Sequence, residues 1–165
     1  GQSTNTYATS ADGINWTGRG TTGITAAYSV TYSPILSRWV AVGTGTHSIA
    51  YSPDGTTWTG VTTSTIFNGQ GTSVIWNGTY FVATGAAVNV LATSADGITW
   101  KATAANNSTT GLAVVAYKAP IMVAGGSGTN TLCYSTDNGN TWTQSTSGTA
   151  AITTNVRGVA WNGNI

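Results

Sequence analysis

The chain contains no glutamate, one cysteine, one histidine, one methionine and three prolines. Its charged residues are five cations and four aspartates among 165 residues, for a net charge of +1. Each shortage excludes something. A single cysteine, Cys133, cannot build a disulfide framework within the chain. Five scattered cations cannot form the basic stripe that a nucleic-acid partner demands. No apolar run approaches the ~20 residues of a membrane-spanning helix, so membrane insertion is not expected. His47 has no second His or Cys near it in sequence, which makes it a poor metal ligand and a candidate solvent-facing residue. No metal and no cofactor is expected.

What is abundant is small and neutral: 33 Thr, 22 Gly, 15 Ser and 13 Asn make up half of the chain. Disorder requires low hydrophobicity and usually high net charge. Seven Trp, seven Tyr and a hydrophobic content of 40% argue instead for a packed fold.

A repeat organises the sequence. Trp16, Trp58, Trp100 and Trp142 are spaced by 42 residues throughout, and each ends a similar phrase: SADGINW, SPDGTTW, SADGITW and STDNGNTW. The phrases begin at Ser10, Ser52, Ser94 and Ser135 and carry Gly13, Gly55, Gly97 and Gly139. Every carboxylate side chain of the protein lies in them, one per phrase: Asp12, Asp54, Asp96 and Asp137. Such a carboxylate can accept from several turn amides, and the serine hydroxyl adds a local bond. The tryptophan then covers the hairpin and buries apolar area against a neighbouring sheet.

Upstream lie two further apolar stretches per unit, for example Ser73–Gly78 and Phe81–Gly85, with Asn77–Gly78 marking a tight hairpin turn. Each unit therefore reads as four short strands, here named A, B, C and D. In strand C, Tyr7, Ile49, Leu91 and Leu132 point one way, while Ala8, Ala50, Ala92 and Cys133 point the other, where a small side chain is wanted. Tyr32, Trp76, Tyr117 and Trp161 take matching places on strand A. Four-stranded units of ~40–45 residues have the blade size of a β-propeller. The expected fold is all-β, a propeller of four-stranded antiparallel blades with three complete blades and parts of a fourth. Residues 1–27 supply strands C and D, blades follow at 28–70, 71–111 and 112–154, and 155–165 form the first strand of the next. An open array exposes blade faces and edges, so the chain is expected to be an excerpt of a larger ring or to be completed by other copies.

The phrase STDNGNTW resembles the Asp-box, Ser/Thr-x-Asp-x-Gly-x-Thr-Trp/Phe, also called the bacterial neuraminidase repeat; the other three phrases are similar but one residue shorter. The resemblance covers the whole chain and implies a propeller, with the boxes away from the ligand face. Relatives with such boxes include sialidases, other glycosidases, sorting receptors and a photosystem assembly factor. A sialidase-like site would use an arginine triad, a Tyr nucleophile with a Glu beside it, and an Asp acid/base. This chain has Arg19, Arg38 and Arg157 but no Glu, and its acids are all in boxes. Glycoside hydrolysis usually needs two free carboxylates, so no catalytic residue is assigned.

The resemblance and composition lead to a non-catalytic propeller for binding or structural display at an extracellular or virion surface. Glycans or a surface receptor are the candidate ligands. The alternatives are a purely structural part of a fibre or filament, and a fragment of a sialidase-like glycosidase with its catalytic residues elsewhere. Ligands are expected on the D–A loops (17–27, 59–72, 101–111, 143–156) and B–C loops (43–47, 85–89, 126–131), where Arg19, His47, Phe67, Gln70, Asn89, Lys101 and Asn130 are the distinctive residues. Phe67 would be the aromatic platform. Arg38, Lys101 and Lys118 are expected to be solvated. Asn15, Asn77, Asn106 and Asn107 head Asn-x-Ser/Thr triplets, which arise easily in a chain this rich in Thr.

Overall fold

The protein is described by a computed structural model covering residues 4–62, 66–86, 89–103 and 109–162. Asn106, Asn107, Gly163 and parts of three expected ligand loops lie outside the described residues.

Among the described residues, fourteen strands follow the period of the repeat. The first unit contributes β1 (Ala8–Thr9) and β2 (Thr17–Gly18), which pair antiparallel. The second is a sheet of β3 (Ile24–Ser33), β4 (Arg38–Gly45), β5 (Ile49–Ser52) and β6 (Thr59–Gly60), in that order. The third comprises β7 (Gln70–Trp76), β8 (Phe81–Ala86), β9 (Leu91–Ser94) and β10 (Lys101–Ala102). The fourth comprises β11 (Thr109–Lys118), β12 (Ile121–Gly128), β13 (Leu132–Ser135) and β14 (Thr143–Gln144). Among the described residues, one pairing, Gly111 of β11 with Ala86 of β8, joins the third and fourth units. The fold is a β-propeller array of four-stranded antiparallel blades.

Equivalent registers recur in every complete blade. Tyr32 pairs with Trp39, Trp76 with Phe81 and Tyr117 with Met122. Strand B is the most buried: Val40, Ala41 and Val42 are fully covered, as are Phe81, Val82 and Ala83. Alternate residues of one strand serve two different cores. Val40, Val42 and Ile49 of the second blade meet Phe81, Ala83 and Trp100 of the third. Val82 and Leu91 of the third meet Met122, Cys133 and Trp142 of the fourth. A β-strand buries both faces only when a sheet lies on each side, and that is what stacking of blades provides. Ala50, Ala92 and Cys133 lie on the face that receives the preceding blade, so the small residues of strand C sit at these interfaces.

The structure corrects three expectations. Trp58, Trp100 and Trp142 are buried, but Trp16 is 64% exposed, because no sheet stands in front of the first blade among the described residues. Residues 157–162 form no ladder; a bridge between Ser127 and Asn155 is the last pairing, since no strand lies beside that segment among the described residues. Within the last D–A loop the chain folds into a short helix, α1 (Thr146–Ala151), capped by Ser145. It buries no side chain, so it carries no periodic signal by which it could have been foreseen.

Candidate functional site

The four Asp turns are built alike, and their geometry decides what the carboxylates can do. In the second blade, Asp54 Oδ1 accepts from the amides of Thr56 and Thr57 at 2.7 Å and from the Ser52 hydroxyl at 3.0 Å. Ser52 Oγ in turn accepts from the amide of Gly55 at 2.8 Å. Gly55 adopts φ +74°, which an L side chain resists, and its carbonyl accepts from the Trp58 indole at 3.2 Å. The fourth turn is one residue longer. Asn138 takes the extra left-handed position at φ 61°, and Thr141 supplies both an amide and a hydroxyl to Asp137, at 2.9 and 2.6 Å.

These donors hold all four carboxyls below the usual carboxylate range. At Asp12 the Asn15 amide acts most strongly, and at Asp54 the Thr57 amide. At Asp137 the Thr141 hydroxyl leads. Partial burial pulls Asp96 the other way, but the Thr99 and Ile98 amides with the Ser94 hydroxyl together outweigh it. Carboxylates so held remain ionised at neutral pH, the state opposite to that of a general acid.

The Asp turns and A–B turns share one end of the array. Arg38, at an A–B turn, donates to the carbonyl of Asp96 in the next blade's Asp turn and lies 5.6 Å from the Tyr51 ring centroid. It is therefore a clasp between blades and not a solvated cation. Asn77 similarly donates to the Asn138 carbonyl at 3.4 Å. The opposite end carries the B–C and D–A loops.

At that opposite end the expected ligand residues separate. Phe67 is buried at 2% exposure in the core between the second and third blades, against Gly85, where a Cβ would come within 2.4 Å of its ring. It is a core residue, not an exposed platform. His47 is half-buried rather than solvent-facing. It covers Gly23 and Gly60, and its Nδ1 lies 3.0 Å from the Val61 carbonyl, a bond made by the tautomer with hydrogen on Nδ1. Asn130 is buried, its side-chain oxygen accepting from Gln144. Arg19 turns away from the loop end: its Nε donates to Thr9 Oγ1 at 2.8 Å, beside the groove shared by Asp12 and Asp54. Lys101 is exposed on the outer strand β10. Asn89 is half-buried in the third blade's B–C loop.

At the loop end, Gln70 lines a cleft where two blades converge. The cleft, about 180 Å³, is bounded by Gln70 and Thr72 at the start of β7, Gly111 and Leu112 on β11, and Ser127, Asn155 and Arg157 beyond them. Thr72 Oγ1 also stands 3.0 Å from Thr84 Oγ1. Amides, hydroxyls and one exposed guanidinium thus meet in one depression that holds no carboxylate. Thr72, Ser127, Asn155 and Arg157 were not singled out by sequence reasoning. They come from three separate stretches of the chain, and only the packing of neighbouring blades brings them together. Among the described residues no group of three or more His, Cys, Asp or Glu could hold a metal ion.

No family model and no curated protein matches the sequence. Solved structures do match its fold. YCF48 from Cyanidioschyzon merolae superposes with a TM-score of 0.57 at 18% identity, over 80% of this chain and 46% of that one. A GH74 xyloglucanase from Xanthomonas campestris superposes with a TM-score of 0.53 at 18% identity, over 73% of this chain and 18% of that one. The chain thus spans less than half the length of either neighbour. At this identity the likeness establishes the fold and leaves activity open.

Proposed function

We propose that this is an Asp-box propeller segment that binds or displays without catalysing. One observation carries the reading: all four carboxylates of the chain are engaged in closing turns. No acid or base partner is left for the cleft at Gln70 and Arg157. Neutral amides and hydroxyls around a single guanidinium suit a hydroxylated ligand that carries a carboxylate or another anionic group, such as an acidic glycan. A xyloglucanase among the fold's neighbours fits a carbohydrate ligand. A charged content of 5%, against ~25% in typical soluble domains, favours an extracellular or virion surface.

A glycan array probed with the native chain, Gln70→Ala and Arg157→Ala tests this reading. Binding of acidic glycans that Arg157→Ala abolishes supports it. Release of free sugar by the native chain would restore the glycosidase alternative. Retention of no glycan, with regular polymers seen by electron microscopy, would leave the purely structural alternative in its place.

A further inference from the structure

Four asparagines of the chain precede a glycine: Asn68, Asn77, Asn138 and Asn162. At such a pair the glycine amide nitrogen can attack the asparagine Cγ, because the glycine has no side chain to hinder the approach. An N–Cγ bond forms and the Cγ–Nδ2 bond breaks. Nδ2 takes up the amide proton and leaves as ammonia. Water then opens the five-membered imide at either carbonyl, giving aspartate or isoaspartate. Two conditions govern the reaction in a folded chain. The side chain must be free to swing onto the backbone, and the attacking amide must be free of an acceptor.

Asn77 fails the first condition. It is buried, its Oδ1 accepts from the amides of Thr79 and Tyr80 at 3.0 and 2.8 Å, and its Nδ2 donates to the Asn138 carbonyl. Asn138 fails the second, since the Gly139 amide donates to Ser135 Oγ at 2.9 Å. The same serine bond, at 2.8 Å, occupies the amides of Gly13, Gly55 and Gly97 and so closes this chemistry at the three Asp–Gly bonds. The fourth pair, Asn162 with Gly163, lies partly outside the described residues. Asn68 meets both conditions. It and Gly69 are exposed in the loop leading to β7, whose ladder begins with Gln70 opposite Ala86. Among the described residues, neither the Asn68 side chain nor the Gly69 amide makes a hydrogen bond.

We propose that Asn68 is a modification site: in the folded protein it deamidates spontaneously, while Asn77 and Asn138 stay intact. The reaction consumes only water. It turns a neutral amide into the first carboxylate of this chain outside an Asp turn and takes the net charge from +1 to zero. That carboxylate stands two residues before Gln70. Two residues of chain span at most about 7 Å, which is within the ~8 Å screening length of physiological salt. The product therefore opposes an anionic ligand in the Gln70 cleft. This consequence rests on the ligand proposed above, whereas the reaction does not.

Peptide mapping by mass spectrometry on the 165-residue chain, incubated at pH 8 with and without urea, tests the reaction site by site. In the folded chain Asn68 should convert to aspartate and isoaspartate at least about tenfold faster than Asn77 or Asn138, whose reaction waits on local opening. In urea the three should react at similar rates, because the bonds that separate them are gone. Asn68→Gln should leave the segment unmodified over the same period, since glutamine would have to close a six-membered ring. An Asn68 that survives as long as Asn77 and Asn138 in the folded chain overturns the proposal. The link to the cleft is read separately, on the glycan array. Asn68→Asp should bind acidic glycans about threefold more weakly than the native chain, and equal binding overturns that link while the mapping still decides the reaction.

Discussion

The indole of Trp58 lies flat on the phenol ring of Tyr7, with centroids 4.3 Å apart and planes 5° from parallel. One residue closes a turn and the other sits in the preceding blade, 51 positions earlier in sequence. Local turn chemistry and blade stacking therefore meet in one contact. Trp58→Ala removes a buried aromatic and should cost about 3–5 kcal/mol. Trp16→Ala, with the same local sequence but an exposed indole, should stay within about 0.5 kcal/mol in dilute solution. Urea denaturation of the two variants measures the contrast; equal losses would mean that burial against the preceding blade contributes nothing.

Ser52 is fully buried and its hydroxyl accepts from the Gly55 amide. Ser52→Ala leaves that amide without its acceptor and should destabilise the chain by about 1–3 kcal/mol. A shift in the denaturation midpoint reports it. An unchanged midpoint would show that water replaces the hydroxyl without loss.

The repeat made most of the fold legible. A turn with this chemistry declares itself through Asp54, Gly55 and Trp58 because the physics is local and needs those residue types in that order. The ligand end was far less legible. Phe67 reads as a loop aromatic, and only Gly85, whose missing side chain makes room for the ring, signals that it turns inward. Arg38 reads as a surface cation because its partner is a backbone carbonyl 58 residues away, which leaves no trace in side-chain pattern. Arg157 joins Gln70 only through the packing of separate blades, so spacing along the chain says nothing of their meeting.

Acid should weaken the fold in a defined window. The four Asp carboxyls lie below their ordinary value of 3.8 in the folded protein. A depressed carboxyl stabilises the fold above its unfolded value, and that contribution is lost as pH falls through the folded one. Stability should therefore be level from neutral pH down to about 5 and decline progressively below about 4. Denaturation curves between neutral pH and pH 2 check this. Stability that does not change across that range would remove the carboxylates from the account.

Cys133 faces the core between the third and fourth blades, with Sγ 3.7 Å from the Ala124 carbonyl oxygen, and burial pushes its thiol up to about 12. The thiolate is the reactive form, so iodoacetamide at pH 8 should leave the native chain unlabelled and modify it once in urea. Rapid labelling of the native chain, followed by mass spectrometry, would place the thiol outside the core.

The most direct measurement is a carbon NMR titration of the four Asp side-chain carboxyls in the native chain. Turn-locked carboxylates should all titrate below the ordinary 3.8, and none should change protonation near neutral pH. Even one aspartate titrating at or above that value in the folded protein would contradict the account. It would reveal a carboxyl free of its turn and available for acid–base chemistry.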